Sequence, residues 1–245
     1  MDKTGTLKRE PIGGGKYIYV SKEHTFGTDA ILLANFSHAK TNDVSVDLGT
    51  GCGIIPFLLI KDSKLKSAEG VDISEAAIEI ANKTAKEQGF DNFSGIVADI
   101  TDLKGKISFG NKTLVTCNPP YKAAGGGIKA RESARLTARQ ETSCTLEDII
   151  SVSAKLLTPS GRLCMCQRPE RLGEIITLMS KYKVEAKRLR LVAKEVGSAP
   201  WLVLIEGRRS GKPGMVIEPT LYLYENGELT EEMINIYGDY KEAYL

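Results

Sequence analysis

Val44-Ser45-Val46-Asp47-Leu48-Gly49-Thr50-Gly51-Cys52-Gly53 leads directly into Ile54-Ile55-Pro56-Phe57-Leu58-Leu59-Ile60. The first five residues read as a short apolar strand, the next five as a glycine-rich turn and the remainder as a helix. Pro56 falls in the first turn of that helix, where its missing N–H costs little. Glycines spaced by two let the backbone pass close to a ligand without Cβ clashes. This is not the dinucleotide fingerprint G-x-G-x-x-G, because Ile54 stands where its third glycine would fall. An acid followed by G-x-G-x-G crowds backbone toward a small charged ligand, and Asp47 supplies negative charge to offset a cation.

Outward from this segment, strand and helix patterns alternate. Helices are expected at 54–62, 75–88, 146–157 and 169–181. Strands are expected at 44–48, 68–72, 93–98, 113–117, 161–167, about 186–193 and 201–207. Such alternation implies a mostly parallel sheet with helices on both faces. Only Lys194–Ala199 joins the last two strands. So short a link cannot hold a crossover helix, and the two must pair antiparallel. Upstream, Tyr17-Ile18-Tyr19-Val20 reads as a short strand after a glycine-broken segment. Ala30–Phe36 reads as a helix with Thr28 or Asp29 as its N-cap. The tail, Leu229–Leu245, reads as a short amphipathic helix.

The expected strand ends carry chemistry in chain order. Asp72, with Ile73 beside it, ends the second strand of the core; its carboxylate could accept both hydroxyls of a ribose. Asp99, followed by Ile100, ends the third and could accept from an adenine amino group. Each acid alone could instead cap a helix or close a turn. The fourth strand ends in Asn118-Pro119-Pro120-Tyr121. This tetrad suits methylation of a planar amide or amino nitrogen, whose lone pair is delocalised and must be drawn out of the plane. The Asn118 side-chain oxygen and the Pro119 carbonyl could accept the two N–H bonds. Pro119 and Pro120 fix φ and make the turn rigid, and Tyr121 offers a face for a flat substrate to stack on. The alternative is an Asn-Pro turn that merely ends a strand.

The chain has 245 residues, 42% hydrophobic and 26% charged, with a formal net charge of +2. That size suits one core with embellishments: a single domain over 1–245, with an extension at 1–43, a core at 44–207 and a basic turn and helix at 208–245. There is no global basic signature, so a nucleic-acid surface must be local. Lys122, Lys129, Arg131, Arg135 and Arg139 form one patch after the tetrad, around Gly125-Gly126-Gly127; four of them share a face if 133–141 is helical. Arg208, Arg209 and Lys212 form a second. Either could equally be a solvated loop. Five cysteines without a framework argue for reduced thiols, and Cys164 and Cys166 share one strand face. Two histidines and no C-x-x-C give no metal site. No N-terminal apolar run resembles a signal peptide, and no stretch reaches the ~18 apolar residues of a membrane span. A soluble, cytoplasmic protein is expected, with a monomer slightly favoured.

Asp47–Gly53 together with Asn118–Tyr121 resembles the class I S-adenosylmethionine-dependent N-methyltransferases. Phe26-Gly27-Thr28-Asp29-Ala30-Ile31-Leu32-Leu33, upstream of the glycine turn, and the glycine-then-arginine segment after Tyr121 narrow the match. They are similar to the bacterial tRNA (adenine-N6)-methyltransferases that modify valine tRNA beside the anticodon. The resemblance implies a Rossmann-like α/β fold with a seven-stranded sheet and S-adenosylmethionine as cofactor. It implies methyl transfer to an adenine N6 in a tRNA anticodon loop. It also implies that Phe26, Thr28 and Asp29 lie over the cofactor. Position 122 departs from it, being Lys where the family often has an aromatic. The same tetrad occurs in enzymes that methylate a glutamine of peptide-release factors, which usually carry a helical N-terminal domain. Protein glutamine methylation is therefore the alternative.

Overall fold

In the computed structural model of the protein, the residues described are 6–119, 144–238 and 240. The alternation produces a nine-stranded mixed sheet. Its core strands are β3 (Val44–Leu48), β4 (Ser67–Asp72), β5 (Phe93–Val97), β6 (Lys112–Cys117), β7 (Leu157–Gln167), β8 (Val184–Ala193) and β9 (Pro200–Arg209). They lie in the order β8-β9-β7-β6-β3-β4-β5. β3 to β7 are mutually parallel, and β9 slots antiparallel between β7 and β8. The seven expected strands are present, with the antiparallel pairing required by the short link. The sheet is larger than expected because two two-residue strands, β10 (Val216–Ile217) and β11 (Leu221–Tyr222), add to the outer edge of β8.

Side-chain alternation along the strands divides the interior in two. Leu114, Cys164, Cys166, Leu202 and Leu204 face α1 (Thr28–Phe36), α2 (Ile54–Ser63) and α3 (Glu75–Gln88). Their neighbours Val115, Cys117, Leu163, Met165, Val203 and Ile205 face α4 (Leu146–Leu156) and α5 (Leu172–Lys181). A period of two on a sheet buried on both sides yields this partition.

The N-terminal segment is more ordered than its glycines suggest. Lys8–Gly13 (β1) and Lys16–Val20 (β2) form a hairpin, and Gly13, Gly14 and Gly15 all take positive φ at its turn. The hairpin docks on α3, whose Thr84 Oγ1 and Gln88 Oε1 accept from Tyr19 N and Tyr17 N, both at 3.0 Å. α3 thus satisfies donors of an otherwise open strand edge. The N-cap of α1 is Gly27, not Thr28 or Asp29, and the cap makes no side-chain bond. At the far end, β12 (Tyr224–Glu225) and β13 (Glu228–Leu229) pair, and the tail helix is α6 (Glu231–Tyr237), shorter than expected. Among the described residues no helix is long and apolar enough to cross a membrane.

Candidate functional site

Chain order along the sheet reverses between β3 and β6: β4 and β5 lie to one side of β3, and β6 lies to the other. Ligands of open α/β sheets gather outside the strand ends at such a switch point. A cleft of about 690 Å³ opens there. Leu48 and Gly49, Asp72 and Ile73, Asp99 and Ile100, and Asn118 and Pro119 line it, so all four anticipated strand ends converge.

The glycine turn follows the backbone reading. Gly49, Gly51 and Gly53 have φ of +75°, +54° and +85°, values that L side chains with a Cβ adopt only under strain. At Gly49 and Gly51 a Cβ would project into open space, with nothing within 4 Å. Among the described residues, these are the two glycines that line the cleft. At Gly53 the Phe57 ring takes the Cβ position, 2.5 Å away, so that glycine serves packing at the N-cap of α2. Asp72 ties the turn to β4: its Oδ2 accepts from Gly51 N and its Oδ1 from Ser74 N, both at 2.9 Å. Asp99 Oδ1 accepts from Thr101 N at 2.8 Å and Thr101 Oγ1 at 2.7 Å. Both acids therefore shape turns while also lining the cleft. Ile73 leaves 55% of its surface exposed beside Asp72.

Other expected cofactor residues lie behind this wall. Asp47, Thr50 and Cys52 are buried. Asp47 Oδ1 accepts from Thr116 Oγ1 at 2.7 Å. Burial pushes its carboxyl up to about 6, against the pull of the Thr116 hydroxyl. Thr50 lies near enough to pull the same way, yet its hydroxyl oxygen forms no hydrogen bond of ordinary geometry. Asp47 thus ties β3 to β6 beside the turn.

The segment before α1 divides differently from expectation. Glu23, His24 and Thr25 line the main cleft, and His24 Nε2 lies 3.2 Å from Ser74 Oγ. Phe26 and Thr28 line a smaller cleft instead, with Tyr237 and Tyr240. Thr28 Oγ1 lies 3.1 Å from Tyr237 OH. Helical geometry carries residue 28 toward α6 while the next residue faces the sheet. Asp29 Oδ2 accepts from Asn118 Nδ2 at 3.0 Å.

That bond determines how Asn118 is presented. A carboxylate only accepts, so the amide nitrogen must face Asp29 and the amide oxygen must face away. Cys166 Sγ donates to that oxygen at 3.0 Å. Burial holds the Cys166 thiol well above its ordinary pKa, so its proton stays in place. One lone pair of Asn118 Oδ1 remains for another donor. Pro119 lines the cleft beside it. Pro120, Tyr121, Lys122, Lys129, Arg131, Arg135 and Arg139 lie outside the described residues.

Arg208, Arg209 and Lys212 are removed from this site. Arg208 pairs in register with Arg162, whereas Gln167 marks the cleft end of β7. Five residues of strand separate them, roughly 17 Å at about 3.3 Å per residue. β9 runs antiparallel, so its carboxyl end reaches the opposite edge of the sheet. Among the described residues, the cations that line the cleft are Arg168 and Arg171. Sequence reading missed them because two isolated arginines after a strand carry no periodic signal. Arg168 Nη1 donates to Trp201 O at 2.8 Å, and Arg171 makes a two-pronged pair with Glu174 at 2.8 Å.

The residues present fit S-adenosylmethionine. The two open glycine positions leave room for close backbone approach, Asp72 and Asp99 place carboxylates along one wall, and the Ile73 face is free for a flat ring. Residues 39–199 match the family described as "Methyltransferase domain". Over 189 residues the chain is 28% identical to the tRNA1(Val) (adenine(37)-N6)-methyltransferase of Porphyromonas gingivalis, covering 74% of this chain and 73% of that one. The protein of the same name from Tolumonas auensis is 29% identical over 210 residues, 81% of each chain. Among solved structures, a predicted O-methyltransferase from Agrobacterium tumefaciens superposes with a TM-score of 0.69 at 17% identity, over 86% of this chain and 95% of that one. TYW2 of M. jannaschii, solved in complex with AdoMet, gives 0.58 at 15% identity over 83% and 85%. The structural likenesses are likenesses of fold, and the family match spans well over half the sequence. The chain belongs to the methyltransferase-domain family.

Proposed function

We propose that this protein transfers a methyl group from S-adenosylmethionine to the exocyclic N6 of an adenine in tRNA, in the anticodon loop. Residues 1–245 act as one domain, with 1–43 reaching over the cleft, 44–207 as the core and 208–245 completing it. The observation that carries the reading is Asn118. Its amide is held in one orientation by Asp29, at the end of β6, in the cleft that also contains the glycine turn and Asp72. The names of the curated relatives support the same substrate.

Bound S-adenosylmethionine supplies an electrophilic methyl group on a sulfonium. Gly49 and Gly51 admit it, Asp72 accepts from its ribose, Asp99 from its adenine, and Ile73 packs on the ring. Asn118 Oδ1 and the Pro119 carbonyl accept the two N–H bonds of the target amine. This draws the nitrogen lone pair out of the ring plane toward the methyl. Tyr121 stacks the target base, and the amine proton leaves to solvent once the new C–N bond forms. Most of the acceleration comes from holding nucleophile and methyl together, which supplies roughly 7–11 kcal/mol in favourable cases. Extruding a base costs least when it is already unpaired, which favours a loop adenosine over duplex DNA.

The test is to supply labelled S-adenosylmethionine with total tRNA, DNA and protein extract in parallel. Label in N6-methyladenosine of tRNA supports the reading. Label confined to protein glutamine overturns it.

A further inference from the structure

Gln167 ends β7 at the floor of the cleft and is fully buried. Its Oε1 accepts from Arg168 N at 2.9 Å. A backbone N–H can only donate, so this bond fixes the amide orientation and leaves Nε2 as the other group. Nε2 is buried and has no hydrogen-bond partner. A buried amide donor without an acceptor carries an uncompensated desolvation cost. Such a group in a cleft wall is explained most simply by an acceptor that arrives with the ligand.

The position of Gln167 indicates what that acceptor is. Cys117 pairs in register with Met165, so one step further along Asn118 lies beside Cys166, as their 3.0 Å hydrogen bond shows, and Pro119 falls level with Gln167. Alternation puts Asn118 on the α1 side of the sheet, bonded to Asp29, and Gln167 on the α4 side. Asn118, Pro119 and Gln167 therefore bracket the strand ends from both faces. The Asn118 acceptor on one side and the Gln167 donor on the other match the edge of a base that carries an amine next to a ring nitrogen.

We propose that Gln167 reads the target base: its Nε2–H donates to a ring nitrogen flanking the exocyclic amine, N1 or N7 of adenine. The inference rests on the adenine-methylating reading and adds a specificity residue to it. A base with a carbonyl in place of the amine sets its oxygen against the Asn118 and Pro119 acceptors. A base with a ring N–H at the flanking position sets a donor against Gln167. Sites built to hydrogen-bond a substrate group reject analogues lacking it far more strongly than apolar pockets reject a missing methylene.

The tRNA that takes the label is rebuilt by ligation with 1-deazaadenosine or 7-deazaadenosine at the target position. Single-site kcat/KM is then measured for the wild-type protein and for Gln167→Glu. Glutamate keeps an acceptor for Arg168 N and, when ionised, replaces the amide donor with a carboxylate oxygen that only accepts and so repels a ring nitrogen. With the wild type, one of the two deaza substrates is expected to fall by about ten- to hundredfold, the range of one hydrogen bond to a buried group. That substrate identifies the nitrogen that is read. Gln167→Glu should lose a similar factor on normal tRNA and cease to discriminate against that analogue, while S-adenosylhomocysteine affinity stays unchanged. Equal wild-type rates on all three substrates overturn the inference, and this arm decides the matter even if the variant fails to fold. A variant that still discriminates as the wild type does also overturns it. Labelling of protein and not of tRNA overturns the underlying reading, and the inference with it, and is distinguishable from a labelled tRNA without discrimination.

Discussion

Asn118 is held between two very different partners, and their chemistry separates its roles. Asp29 can only accept, so it polarises and orients the amide. Asp29→Asn offers Asn118 a partner that can flip, and turnover should fall by about tenfold or more while S-adenosylhomocysteine affinity changes little. Wild-type single-turnover rates in that variant would remove Asp29 from the positioning role. Asn118→Ala should depress turnover further, because its hydrogen bond matters most as the nitrogen pyramidalises. Asp72 behaves differently: it already accepts two backbone N–H groups and is proposed to accept ribose hydroxyls as well. Bonds to a charged group are worth about 1.5–3 kcal/mol each, so Asp72→Asn should weaken S-adenosylhomocysteine binding at least tenfold by calorimetric titration. Unchanged affinity would leave Asp72 as a turn-former alone. Asp47 bears on stability instead. Its folded carboxyl is held near about 6 against an ordinary 3.8. Between those values the folded protein keeps a proton that the unfolded chain has lost, so stability falls as pH rises through the window and levels off above it. The cost at neutral pH is on the order of 3 kcal/mol. Urea unfolding of Asp47→Asn from pH 4 to 7 should show a flatter profile than the wild type, and identical profiles would contradict the origin assigned to the slope.

At the scale of elements, the glycine turn and the capping of α4 each have a local cause. Gly51 sits at φ +54° with open space where a Cβ would be. Gly51→Ala should cost about 1–2 kcal/mol of stability from the left-handed backbone alone, and more than that in cofactor affinity, because the new methyl enters the cleft. A variant that melts lower but binds S-adenosylhomocysteine as before would show that the turn is not approached by the ligand. α4 opens on a capping box in which Thr145 and Asp148 satisfy each other's backbone, beside the cleft wall formed by Thr145, Leu146 and Ile149. The glycine turn is legible because it depends on residues two to four apart; the capping box is equally local, but sequence reading yielded only the helix. The β1–β2 hairpin was only half legible: Pro11 and three glycines obscure a strand whose donors are satisfied by Thr84 and Gln88 far along the chain.

Across the whole molecule, the antiparallel insertion of β9 decides which cations can meet a substrate. Replacing Arg208, Arg209 and Lys212 together should leave the salt dependence of tRNA binding nearly unchanged. Neutralising Arg171 with Lys129, Arg131, Arg135 and Arg139 should flatten it by about 0.7 in slope for each single-strand phosphate left without its cation. The reverse result would place the RNA on the far edge of the sheet. The sequence by itself determined the strand–helix alternation, the glycine turn, and the acids and Asn118 at successive strand ends, because these are periodicities and short-range motifs. It also determined the antiparallel pairing of the last two strands, since a six-residue link allows nothing else. Only the tertiary structure decided that β9 lies between β7 and β8, that Asp29 bonds Asn118, that Asp47 is buried, and that Gln167 leaves an amide donor unpaired at the cleft. Those facts depend on which distant strands share hydrogen bonds and which side chains lose their water, and neither is encoded in any local stretch of residues.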